Sequence, residues 1–130
     1  MSALNIPVEI SQPMSGMLPS ILNELEQHLQ NLIENGQPHS IDLARQPLTS
    51  IDLIELEKLL GKGELSITLN TIGDSEIFET AFSGIWWVKH YTADQVLISQ
   101  FIEITNIPDI IKSQPEDMQL ALSRLKSQRH

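Results

Sequence analysis

The stretch from Leu59 to His90, LLGKGELSITLNTIGDSEIFETAFSGIWWVKH, constrains the fold more than any other part of the chain. Leu59 and Leu60 end a helical pattern, Gly61 breaks it, and Gly63 turns the chain straight into a strand. Leu65, Ile67 and Leu69 then alternate with Glu64, Ser66 and Thr68, the signature of a half-buried strand. Asn70 to Asp74 reads as a turn, and residues 76–82 place Phe78, Thr80 and Phe82 opposite Ile77, Glu79 and Ala81. Ser83-Gly84 punctuates again before a strand over 85–91 that holds both tryptophans. Thr92-Ala93-Asp94-Gln95 suits a hairpin turn, and residues 96–104 bring Val96, Ile98, Ile102 and Ile104 into step. Four strands joined by such short turns predict an antiparallel meander, because parallel crossovers need a dozen or more residues.

Helical patterns flank this sheet. Leu18, Ile21, Leu22, Leu25, Leu29, Leu32 and Ile33 recur at spacings of three and four, so they share one stripe, and Asn35-Gly36 is a stop signal. Residues 37–47 form a connector in which Ile41 and Leu43 suit a brief extended segment. A second helix follows, with Thr49 as its cap, Asp52 at its third position and Leu48 against Leu53 as a hydrophobic staple. It presents Leu53, Leu56, Leu59 and Leu60 and is expected to end on a left-handed Gly61. Beyond the sheet, Pro115-Glu116-Asp117 opens a last helix with Met118, Leu122 and Leu125 on one face. The expected architecture is α+β: two N-terminal helices, a four-stranded antiparallel sheet and a C-terminal helix. Residues 1–14 read as a loose arm docked through Ile6, Val8 and Ile10, and 15–130 as a single domain. The helices are expected to meet the sheet through Leu25, Leu29, Leu56, Leu60, Ile67 and Trp86.

Charge narrows the function classes. Eight basic residues against 17 acidic ones leave a net charge of −9, a field that repels phosphate backbones and anionic lipid. Nucleic acid and membrane surfaces are therefore not expected partners. The chain has no cysteine, which removes disulfides, thiol nucleophiles and thiolate metal sites. No leader peptide and no run of 18 apolar residues is visible, and a cytoplasmic location is expected.

No catalytic, cofactor or metal site emerges from the motifs. Gly61-Lys62-Gly63 follows a helix and precedes a strand, the reverse of a phosphate loop, so it reads as a helix end and a tight turn. The histidines, at 28, 39, 90 and 130, form no pair at ligand spacing. Glu64, Glu76, Glu79 and Glu103 suit the solvated face of an antiparallel sheet and lack an oriented partner for acid–base work. Trp86 and Trp87 are more informative, since adjacent strand residues point to opposite faces. Trp86, in step with Val88, is expected beneath the helices. Trp87, in step with Ile85 and Tyr91, is expected to face outward as a contact anchor. The opposing reading buries both rings in the core. A contact surface is thus expected at Gly63, Glu64, Trp87 and Tyr91.

Taken in order, Ile41-Asp42-Leu43, Pro47-Leu48-Thr49, Leu59 to Ser66, Phe82-Ser83-Gly84-Ile85-Trp86 and Phe101 to Ile104 resemble the HupH/HyaF family of accessory proteins for nickel–iron hydrogenases. The resemblance covers roughly residues 40–125, and it departs at Lys62 and Trp87, where an acidic or small residue and a basic one are expected. It implies a non-enzymatic maturation factor or chaperone without a cofactor. The implied partner is a hydrogenase subunit, foremost the iron–sulfur small subunit, or another maturation factor. Two further readings stay open: a small ligand-binding or enzymatic domain with a pocket between sheet and helices, and a module that pairs with itself. A polar pocket with converging acids and a histidine would favour the former, and a flat apolar patch around Trp87 the contact readings.

Overall fold

A computed structural model describes residues 14–129; the expectation of an arm docked through Ile6, Val8 and Ile10 lies outside the described residues. In chain order come helix α1 (Leu18–Asn35), strand β1 (His39–Asp42), a 3-10 turn (Leu43–Arg45) and helix α2 (Ser50–Leu60). Strands β2 (Ser66–Leu69), β3 (Ser75–Glu79), β4 (Ile85–Tyr91) and β5 (Leu97–Ile104) follow. A second 3-10 turn (Asp109–Ile111) and helix α3 (Pro115–Gln128) close the described chain. The sheet is antiparallel throughout and has the order β1-β5-β4-β3-β2.

The α+β class stands, with two corrections. The sheet has five strands because residues 39–42, expected at most as a brief extended segment, pair with β5, Ile41 opposite Ile102. A four-residue strand is too short to show alternation, so its pairing partner decides it. Because β1 lies between the two helices, one helix rather than two precedes the sheet. The meander from β2 to β5 is as the spacing predicted.

Local signals explain the helix ends. The α1 stripe buries Leu18, Ile21 and Leu25, and Gly36 returns its N–H to the Leu32 carbonyl at 2.9 Å. At α2 the Thr49 hydroxyl accepts the Asp52 N–H at 3.1 Å, and the Asp52 carboxylate accepts the Thr49 N–H at 2.8 Å. This reciprocal capping box satisfies two otherwise orphaned donors. Asp52 is fully buried and also accepts the N–H and hydroxyl of Ser15, so the α2 cap anchors the segment leading into α1.

The sheet buries both its faces. On the helix side Leu25, Leu56, Leu60, Phe78, Ile85, Trp87, Ile102 and Ile104 form the main core, with Leu29 packed at its margin. On the opposite side Ile77, Trp86 and Val88 form a second cluster, flanked by Ile67, Leu69, Phe101 and Ile111. The expected face assignment is therefore reversed: Trp87 and not Trp86 lies under the helices, and Ile67 belongs to the far face. Alternation requires the two rings to oppose one another, but with both faces apolar it cannot say which one meets the helices. Neither indole is a surface group, since Trp86 is 3% and Trp87 0% exposed. Each finds an acceptor, Trp86 Nε1–H the Thr105 carbonyl at 3.1 Å and Trp87 Nε1–H the Gln100 Oε1 at 2.9 Å.

Candidate contact surface

The expected contact residues gather where α2 ends. Gly61 has φ 65° and ψ −168°, a combination open essentially to glycine alone, rather than the left-handed helical cap expected. Its N–H still closes the helix on the Glu57 carbonyl at 2.9 Å. The extended ψ throws the chain outward, across the end of β3, instead of winding it back. Gly63 then donates its N–H to the Glu79 carbonyl at 2.8 Å. A Cβ at residue 63 would stand 2.7 Å from the Thr80 carbonyl oxygen, so here glycine answers to close backbone approach and not to a positive φ. The turn is held from below, and Lys62, Gly63, Glu64 and Leu65 are all exposed.

Beside this turn lies a row of charges. Lys62 Nζ is 4.0 Å from Glu76 Oε2 and 4.7 Å from the centre of the Phe78 ring. The Tyr91 hydroxyl reaches Glu76 Oε1 at 3.5 Å. Deeper in, Lys89 Nζ contacts both oxygens of Glu57, at 3.1 and 3.0 Å, tying β4 to α2. Gly63 and Glu64 therefore neighbour Tyr91 through Lys62 and Glu76. Trp87 does not join them at the surface. It lies under the row, parallel to Phe78 with ring centres 6.4 Å apart, and so supports the surface without offering itself to a partner. The pairs Lys62–Glu76 and Lys89–Glu57 are what sequence reasoning missed. Alternation puts Glu76 and Lys89 opposite one another on one face, but their partners Lys62 and Glu57 come from a turn and a helix that the strand pattern does not reach.

The far face carries a second feature, a depression of about 200 Å³ lined among others by Ser40, His90, Phe101, Glu103 and Asp109. His90 Nδ1 lies 2.7 Å from the Ser75 hydroxyl, and its ring meets Phe101 edge-on at 5.8 Å. The Ser40 hydroxyl donates to Glu103 at 2.6 Å, and Lys112 pairs with Asp109 at 3.1 Å. Each polar group is thus engaged by a partner of its own. The arrangement has the composition of a pocket but lacks a nucleophile, base and orienter in series.

A third arrangement was invisible in the sequence. His28 of α1 and His39 of β1 stack with ring centres 3.6 Å apart and planes within 6°. Burial, then the neighbouring His39, lowers the His28 pKa, against a smaller raising effect of Glu24. Among the described residues no group of three or more histidine, aspartate or glutamate side chains is placed to hold a metal ion. No helix among them is long and apolar enough to cross a membrane.

Comparison with known proteins places this geometry. The C-terminal conserved region of the HupH hydrogenase expression proteins matches residues 17–129. The chain belongs to this family. It is 29% identical over 120 residues to the hydrogenase-1 operon protein HyaF of Escherichia coli strain K12, spanning 92% of this chain and 41% of that one. Against the hydrogenase expression/formation protein HoxQ of Azotobacter vinelandii it is 27% identical over 110 residues, 85% of this chain and 38% of the relative. Among solved structures, the hydrogenase expression protein HupH from Thiobacillus denitrificans ATCC 25259 superposes with a TM-score of 0.86 at 39% identity. That match covers 90% of this chain and 98% of the solved one. The HupH-like chain spans about two fifths of the length of these curated relatives. The ordered motifs from Ile41 to Ile104 thus led to the right family, and the match reaches back through α1 as well.

Proposed function

We propose that this chain is a non-enzymatic accessory factor of nickel–iron hydrogenase assembly that works by binding the iron–sulfur small subunit before its export, in the cytoplasm. Membership of the hydrogenase expression family carries the reading, supported by the names of the relatives as expression and formation proteins. The contact surface is the exposed Gly63-Glu64 turn with Lys62, Glu76 and Tyr91 beside it. Several physical features suit that task. The turn is fixed at both ends by backbone hydrogen bonds, so its presentation costs little ordering entropy on binding. The exposed Leu65 and Ile54 add apolar area beside charges of both signs, the mixed composition of a non-obligate contact surface. The −9 net charge favours a client segment that is basic or apolar and discourages nucleic acid.

The test is co-purification from cells that express the hydrogenase structural subunits, with wild type, Glu64→Lys and Tyr91→Ala as bait. Wild type should retain the small subunit, and each variant should retain at least fivefold less at an unchanged melting temperature. Recovery of the large subunit alone, or equal recovery by all three baits, would defeat the proposal.

A further inference from the structure

Helix α3 is folded and unused. None of its residues is buried, although Met118, Leu122 and Leu125 recur at helical spacing and form an apolar stripe with Ala121 between them. A surface helix of a lone domain normally turns such a stripe to the core. Here the preceding 3-10 turn, through Ile111, packs on the far face of the sheet beside Trp86, and α3 leaves from there.

On the helix face the chain offers a matching vacancy. An apolar depression of about 260 Å³ lies between α1 and the β3–β4 turn, lined by Leu22, Leu29, Leu60, Phe82 and Ile85. It adjoins a wider one of about 540 Å³ that shares Leu29 and continues past Leu32 and Ile33. Together they make a trough along α1 from residue 22 to residue 33, roughly 17 Å at the helical rise. The α3 stripe, from Met118 to Leu125, spans about 11 Å on the same measure and fits within it. Phe82 and Ile33, 50% and 75% exposed, stand at the trough without apolar cover among the described residues.

Charge fits as well as shape. α1 carries Glu24, Glu26 and Glu34 and no lysine or arginine, and Glu26 and Glu79 lie along the trough. The acidic residues of α3 end at Asp117, after which come Arg124, Lys126 and Arg129. The chain holds only eight basic residues, so three within its last seven positions mark this helix end as cationic against an otherwise acidic molecule.

We propose that the occupant of the trough is α3 of a second copy, exchanged reciprocally in a two-fold dimer. α3 leaves from the far side of the sheet and the trough opens on the helix side, so two copies can exchange α3 reciprocally about one two-fold axis. Reciprocity also answers to area. A stable pair buries roughly 1,200–2,000 Å² in total. Reciprocal exchange doubles the area that a single 14-residue helix in one trough would cover, which moves the pair towards that range.

The experiment is sedimentation of the full chain across micromolar concentrations, with chemical cross-linking. Wild type should sediment as a dimer. Leu122→Glu/Leu125→Glu, which touches no buried residue and should keep the wild-type circular dichroism, should weaken association at least tenfold, and high salt should weaken it further. Because the chain has no cysteine, Leu125→Cys and Phe82→Cys variants, mixed and treated with a short bismaleimide, should couple 125 to 82 across copies in preference to 125 to 125. A wild type that stays monomeric, a dimer that survives the double substitution, or preferential 125–125 coupling would each overturn the proposal. A monomeric wild type whose double variant also loses the small subunit in co-purification would assign α3 to the client instead. Dimerisation is read without any hydrogenase subunit, so its failure leaves the accessory role to its own test.

Discussion

Replacing Trp87 by alanine removes the largest fully buried side chain of the main core. The indole lies between α1, α2 and the sheet, parallel to Phe78, and its N–H is held by Gln100. A buried tryptophan takes about 150–250 Å² out of water, worth about 4–6 kcal/mol at 25 cal/mol/Å². Measured truncations of such rings cost about 3–5 kcal/mol, because neighbours relax into part of the cavity. A domain of this size has roughly 5–15 kcal/mol in hand, so Trp87→Ala should fall close to the unfolding threshold. Trp86→Ala should behave alike, since Trp86 fills the far-face cluster with Ile77 and Val88. Urea unfolding followed by far-ultraviolet circular dichroism reads both. Fluorescence separates the two rings. The chain has only these two tryptophans, so Trp86→Phe leaves Trp87 as the sole indole. Its emission should be blue-shifted and resist acrylamide. A red, readily quenched Trp87, or a Trp87→Ala midpoint within about 1 kcal/mol of wild type, would restore it to the surface and refute the burial argument.

Gly61→Ala should destabilise by roughly 2–3 kcal/mol in chemical denaturation, more than a left-handed cap would, because its φ/ψ region is essentially closed to other residues. Gly63→Ala should destabilise by about 1–3 kcal/mol although its φ is ordinary, since the added methyl meets the Thr80 carbonyl; an unchanged midpoint would mean that the turn does not approach β3 so closely. The Asp52 pKa is lowered, chiefly by the Ser15 hydroxyl and then the Thr49 N–H. Its contribution to stability should be complete above the ordinary carboxylate pKa and disappear as pH falls through the lower folded value, and Asp52→Asn should flatten that acid limb of a pH–stability curve. The His28 pKa is lowered by burial and by His39, so the fold favours its neutral form. Stability should decline as pH drops below the ordinary histidine value, and His39→Gln should shrink the decline by raising the His28 pKa in an NMR titration.

Those outcomes also mark which parts of the fold a sequence can disclose. Leu18 to Asn35 was legible because seven apolar residues keep one stripe and glycine follows it, and α2 because its cap is a short-range hydrogen-bond pattern between Thr49 and Asp52. β4 was legible because Gly84 and the Thr92 turn bound it on both sides. β1 was not, because its pairing with β5 joins residues some 60 positions apart and four residues carry no period of their own. β3 stops at Glu79, short of the expected Phe82. The Thr80 hydroxyl leaves the strand pattern to bond the Ile85 carbonyl at 2.8 Å, which starts the turn early and leaves Phe82 half-exposed. Alternation continues through 82 on paper, but a side-chain bond within the turn overrides it.

The proposed contact surface shows the same division between pattern and partnership. Gly63 and Glu64 could be placed at an exposed turn from composition alone, and they are there. Trp87 was assigned outward on the premise that one sheet face is open to water. Ile77, Trp86 and Val88 break that premise, because a second apolar cluster covers the face opposite the helices. A strand reading Ile-Trp-Trp-Val is apolar on both sides, and such a strand states that it is central and doubly covered rather than which side is wet. The polar members of the surface then had to come from outside the run. Lys62 and Glu76 arrive from a turn and a neighbouring strand and meet only where the turn is bonded back onto β3. What makes the region a surface is therefore the ion pairs laid over Phe78 and Trp87. The tryptophan that drew attention to it serves as their floor.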